Sequence, residues 1–86
     1  MDKHEVVNKL KQIIVQTLDV DMEIKDIKDT SLLYEELGID SVDSLDLIVN
    51  VEEEFKLDLS EAGTEFLYSI DTFANKILSN LKTESQ

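Results

Sequence analysis

The sequence predicts an all-α fold: a small four-helix bundle with three main helices, a short helix standing third in the chain, and a long loop between the first and second helices. Three observations predict it. Apolar residues recur at helical spacing in three separate stretches, proline is absent, and the one alternating segment has no second strand to pair with.

The first helix is expected over 4–18, where Val6, Val7, Leu10, Ile13, Ile14, Thr17 and Leu18 share a face opposite lysine and glutamine. Residues 19–40 show no sustained period. Their scattered apolar residues (Val20, Ile24, Ile27, Leu32, Leu33, Leu37) would anchor a long loop onto the bundle, and loops of that length often carry function. The second helix is expected over 41–55. A short third, at 60–67, is interrupted by Gly63. The last, at 70–81, has the cleanest stripe: Ile70, Phe73, Ala74, Ile77, Leu78 and Leu81. Ser69 is placed to cap it, with Asp71 in its first turn. Residues 82–86 read as a frayed tail. The alternation of Phe55-Lys56-Leu57-Asp58-Leu59-Ser60 looks strand-like but stands alone.

With 86 residues the chain has room for one domain, spanning 1–86, whose core is small. No cysteine is present, so neither a disulfide framework, a thiolate nucleophile nor a zinc cluster is available. No apolar run is long enough for a membrane span, and the polar start of the sequence argues for the cytoplasm. Eight lysines against 20 acids give a net charge of −12, with no arginine. The acid is concentrated: residues 31–62 hold 10 acids and one lysine. Such a surface repels nucleic acid and anionic membranes, attracts basic protein surfaces and favours a monomer.

On a helical wheel of about 100° per residue, residues 42–55 separate into three faces. Leu47, Ile48, Val51 and Phe55 form the expected core face, with Phe55 the residue expected to matter most for stability. Asp43, Asp46, Asn50, Glu53 and Glu54 form an acidic arc. Val42, Leu45 and Val49 form a second apolar cluster beside that arc, an arrangement suited to a partner with a basic rim around a hydrophobic hollow. Read as plain structure, the same pattern is a solvated acidic face next to a wide core stripe.

Leu37-Gly38-Ile39-Asp40-Ser41 stands directly before this helix. Gly38 permits a tight turn, and Asp40 or Ser41 can cap the helix. By spacing alone Ser41 is an N-cap. The competing reading is that its hydroxyl carries a phosphate, whose charge free amides at a helix start would stabilise. Catalysis by Ser41 is not expected. The only histidine is His4, and neither a G-x-S-x-G elbow nor an S-x-x-K pair surrounds the serine. A calcium loop is not expected either: Asp19, Asp21 and Glu23 alternate, but Ile24 stands where glycine is needed. No metal site is expected.

The stretch 36–55, ELGIDSVDSLDLIVNVEEEF, resembles the signature region of acyl carrier proteins. Length, acidity and helix order extend the likeness over nearly the whole chain. The resemblance implies a carrier and no enzyme: Ser41, preceded by Asp40, would bear a 4′-phosphopantetheine arm taken from coenzyme A. It implies a phosphopantetheinyl transferase and acyl-processing enzymes with basic docking patches as partners, in fatty-acid, polyketide or specialised lipid biosynthesis. Val42, Leu45 and Val49 would make the apolar contacts, and Asp43, Asp46, Glu52 and Glu53 the ionic ones. In the family an acyl chain can shelter between the second and third helices. Val42, Asn50, Lys56, Ser60 and segment 62–69 depart from the usual pattern; Phe66 and Tyr68 would narrow such a cleft or, more simply, pack the core. The alternative from a different class is a noncovalent acidic adaptor that docks basic proteins and carries nothing.

Overall fold

The structure is a computed structural model that describes residues 2–18, 23–59 and 63–84. Three α-helices build it: α1 (Lys3–Leu18), α2 (Ser41–Phe55) and α3 (Ile70–Glu84). Two single 3₁₀ turns, Ile24–Asp26 and Glu65–Tyr68, lie in the connections. The fold is all-helical. No strand forms among the described residues.

The short third helix expected at 60–67 is instead the 3₁₀ turn Glu65–Tyr68, and residues 60–62 lie outside the described residues. A chain that turns after Gly63 and must enter α3 at Ile70 has room for one tight turn only. At the other end α3 runs to Glu84, so the expected tail at 82–86 is helical through that residue; 85 and 86 lie outside the described residues.

Helix α1 is the centre of the packing, with α2 on one side and α3 on the other. Its stripe of Val6, Val7, Leu10, Ile13 and Ile14 is buried, as the i, i+3, i+4 spacing requires. From α2 come Leu47, Val51 and Phe55, and from α3 Ile70, Phe73, Ala74 and Ile77. Phe66 meets Phe73 edge to face, ring centroids 5.0 Å apart, a geometry aromatic quadrupoles favour.

The expected anchors of the first loop divide. Ile27 and Leu33 are buried and Leu37 packs against the core, while Ile24 is exposed and Val20 lies outside the described residues. The loop is also held through its backbone. Leu33 N donates to the Tyr68 carbonyl at 3.1 Å and Ile70 N to the Ser31 carbonyl at 3.0 Å, flanking an isolated bridge between Leu32 and Ser69. These bonds tie the segment before α2 to the start of α3.

Ser69 caps α3 as expected: Thr72 N donates to Ser69 Oγ at 3.2 Å, and Ser69 N donates to Thr72 Oγ1 at 2.9 Å. The alternating segment after α2 forms no strand over its described residues. Leu57 and Leu59 are buried and Lys56 and Asp58 exposed.

Candidate functional site

The approach to α2 is set by one glycine and one acid. Gly38 has φ +70°, a left-handed conformation, and a Cβ added there would meet no atom within 4 Å. The glycine is therefore needed for its backbone angle and not for a close approach. Beyond it Ile39 turns inward, buried, and its N–H donates to the Leu33 carbonyl at 3.2 Å.

Asp40 is the N-cap of α2, in extended conformation. Its Oδ1 accepts from Asp43 N at 2.8 Å, and Asp43 Oδ2 accepts from Asp40 N at 3.2 Å. This reciprocal capping box answers the question the sequence left open: Ser41 is not the cap. It is the first helical residue and is exposed, and its hydroxyl bonds no described residue. The amide of Asp43 is occupied by the Asp40 carboxylate and that of Ser44 by the Asp40 carbonyl. The free amides expected at the helix start are thereby those of Ser41 and Val42.

Ser44 is the feature the wheel missed. It is buried, and its Oγ donates to the Ser41 carbonyl at 2.8 Å, bracing the turn that presents Ser41. A polarity scale counts serine as a surface residue, yet its hydroxyl is satisfied locally and adds no burial cost.

The apolar cluster on the outer face of α2 is open to solvent: Val42 and Leu45 are each 64% exposed and Val49 is 49% exposed. Asp46 and Glu53 are exposed beside it. On the wheel these five residues fall within an arc of about 100° opposite Leu47, Val51, Ser44 and Phe55. The remaining acids of α2 have internal duties. Asp43 belongs to the capping box, and Glu52 Oε2 accepts from Leu59 N at 2.7 Å, closing the chain after the helix. Glu54 pairs with Lys9 of α1 at 2.6 Å.

Phe66 and Tyr68 part company. Phe66 is buried, whereas Tyr68 is exposed, so the core-packing expectation holds for the first ring and not for the second. A shallow cleft lies over Phe66, lined also by Gly63, Glu65 and Lys76. Among the described residues no group of acids and histidine is arranged to hold a metal ion, and no helix is long and apolar enough to cross a membrane.

This geometry presents a small acidic helical protein whose exposed serine stands at a helix start, beside a mixed apolar and acidic face. Comparison with known proteins gives that class its identity. A family model described as "Phosphopantetheine attachment site" matches residues 8–68. Curated relatives named "Acyl carrier protein" include one from Karelsulcia muelleri, 40% identical over 68 residues, covering 79% of this chain and 80% of the relative. One from Campylobacter jejuni (strain RM1221) is 34% identical over 73 residues, covering 85% and 91%. One from Cyanidioschyzon merolae is 29% identical over 86 residues, covering 100% and 92%. The chain belongs to the acyl carrier protein family, whose members are carriers rather than enzymes and bear a covalently attached 4′-phosphopantetheine group.

Proposed function

We propose that Ser41 is the attachment residue, and that the outer face of α2 docks the enzymes that load and unload the arm. The observation that carries this reading is the capping box. With Asp40 as the cap, the Ser41 hydroxyl is exposed and uncommitted at the first residue of the helix. The group fits there: the uncommitted amides of Ser41 and Val42 face the positive end of the helix dipole, where a phosphodiester's single charge is favoured. When bound, the arm supplies a terminal thiol on which acyl groups travel as thioesters, which a chain without cysteine lacks.

Modification forms a bond from Ser41 Oγ to the pantetheine-side phosphorus of coenzyme A. The pyrophosphate bond breaks, 3′,5′-ADP leaves, and the hydroxyl proton passes to a base of the transferase. This chain's own contribution is positional. Asp40 and Ser44 hold the turn on either side of Ser41, and Gly38 sets the loop behind it.

Docking would rest on Val42, Leu45 and Val49 as the apolar centre, with Asp46 and Glu53 as free acids meeting basic partner residues. Asp43 and Glu52, though on the same helix, are engaged internally, so their share in recognition is secondary in this reading. The cargo falls within fatty-acid or related lipid and polyketide biosynthesis, the chain acting as a monomer in the cytoplasm.

Intact mass before and after incubation with coenzyme A, magnesium and a broad-specificity phosphopantetheinyl transferase tests the assignment. One phosphopantetheine is expected on the native chain and none on Ser41→Ala. A folded native chain that gains no mass would overturn it and leave the noncovalent adaptor.

A further inference from the structure

Between the C-terminal halves of α1 and α2 lies a cleft of about 300 Å³, lined by Ile13, Gln16 and Thr17 on one side and Asn50, Glu53 and Glu54 on the other. We infer that this cleft receives an arginine side chain of the docking protein partner, extending the recognition surface from α2 onto α1. The inference rests on the reading of α2's outer face as the docking face, since Glu53 belongs to both.

Three features on the cleft wall favour a guanidinium. First, Asn50 Nδ2 donates to Thr17 Oγ1 at 2.8 Å across the two helices. With its amide nitrogen so engaged, the Asn50 side chain keeps its carbonyl oxygen uncommitted on the cleft wall. Second, the two acids differ in state. Glu54 is already paired with Lys9, while Glu53 forms no ion pair with any described lysine. The cleft thus holds one unneutralised carboxylate in a chain of net charge −12. Third, polar side chains stand on both walls: Gln16 and Thr17 on α1, Asn50 and the Glu53 carboxylate on α2.

A planar fork with five N–H donors can bond several such acceptors together, whereas an ammonium is a compact point charge with three donors. The apolar flank of Ile13 suits the methylene stem of the same side chain. Asn50 is then the residue that turns a gap between helices into a donor-selective socket. An apolar residue at that position would remove both the interhelical bond and the acceptor.

The test is a nitrogen–proton correlation NMR titration of the full, unmodified chain with N-acetyl-arginine amide, N-acetyl-lysine amide and N-acetyl-citrulline amide. Arginine should shift the Asn50 side-chain amide and the backbone amides of Gln16, Thr17 and Glu53. Lysine should shift them less and citrulline not at all. Asn50→Ala and Glu53→Gln should each weaken arginine binding about twofold to fivefold, the range of an exposed charged contact. Asp26→Asn, on the remote loop, should leave it unchanged. Shifts spread evenly over the chain's acids, equal responses to arginine and lysine, unaltered binding in the two cleft variants, or no shift at all would overturn the proposal. Mass gain at Ser41 is read separately, so loss of the cleft site and loss of the carrier assignment are distinguishable.

Discussion

Asp40 and Asp43 cap one another across the first turn of α2, each carboxylate accepting the other's backbone N–H, at 2.8 and 3.2 Å. Two like charges are brought close, but each satisfies an amide that the helix start leaves without a partner, and both sit at the positive end of the helix dipole. Ser41 stands between them, uninvolved. Stability and modification should therefore separate at adjacent positions. Asp40→Ala should cost about 0.5–2 kcal/mol, lowering the melting temperature by about 4–8 °C per kcal/mol. Asp40→Asn keeps an acceptor oxygen and should lose less than half of that. Ser41→Ala should stay within about 0.5 kcal/mol of the parent while abolishing mass gain. Thermal melts followed by circular dichroism check all three; a large loss in Ser41→Ala would return the capping role to the serine.

Among the described residues two hold left-handed backbone angles, and they are matched to them in opposite ways. Gly38, at φ +70°, carries no side chain to strain. Lys56, at φ 56°, ends α2 and does carry one. Its N–H bonds the Glu52 carbonyl, so the conformation is retained for the sake of the helix end. Gly38→Ala should cost about 1–2 kcal/mol through backbone strain alone, since the added methyl meets nothing within 4 Å. Lys56→Gly should stabilise by up to about 1 kcal/mol, the relief exceeding the added freedom of the unfolded chain. Urea midpoints for the two variants should move in opposite directions. Movement of both in the same direction would refute the assignment.

What was legible in the sequence is what repeats at short range. The stripes of α1, α2 and α3 follow from spacing, and the Ser69 cap from a single serine ahead of a stripe. The cap of α2 was ambiguous because Asp40 and Ser41 are both good capping residues, and only the folded backbone distinguishes them. Nonlocal bonds left no periodic trace. Glu52 reaching Leu59, and Leu33 reaching Tyr68, depend on how the chain returns. The same holds for the bond from Asn50 to Thr17, which turned a residue of the acidic arc into a contact between helices. Of the short helix expected over 60–67, the described residues hold one 3₁₀ turn, Glu65–Tyr68, because Gly63 and the start of α3 at Ile70 leave little room between them.

Phe55 is buried as its place on the core face requires, but Phe73 should matter more to the core. Phe73 is fully buried against Phe66, whereas Phe55 keeps 6% exposure at the end of α2. Phe73→Ala should cost toward the upper end of about 3–5 kcal/mol and Phe55→Ala toward the lower end. Either is a large part of the roughly 5–15 kcal/mol that holds a domain folded. Phe66→Leu should lose about 0.5–1.5 kcal/mol of ring pairing beyond its difference in burial. Denaturant midpoints at constant slope give the ranking, and a larger loss in Phe55→Ala would reverse it.

Added salt should stabilise this protein even though it contains ion pairs. Lys3 with Asp71, Lys9 with Glu54 and Lys11 with Asp29 tie α1 to α3, α2 and the first loop, at 2.5, 2.6 and 2.7 Å. Pairs with at least one well-exposed partner contribute about 0–1 kcal/mol each, and their partners stay well inside the screening length at any ordinary ionic strength. The opposing term acts at longer range: a net charge of −12 on a body measuring 38 × 25 × 19 Å. Its self-repulsion is felt across the whole molecule when the screening length is about 30 Å, at 0.01 M salt, and is largely cut off when it is about 8 Å, at 0.15 M. Screening therefore removes more repulsion than attraction. Between those two concentrations of sodium chloride the melting temperature should rise, and neutralising Asp46 or Glu53 by amide substitution should raise it at low salt and flatten its salt dependence. A fall in melting temperature with salt would mean that the three lysine pairs outweigh the repulsion of the acidic middle third.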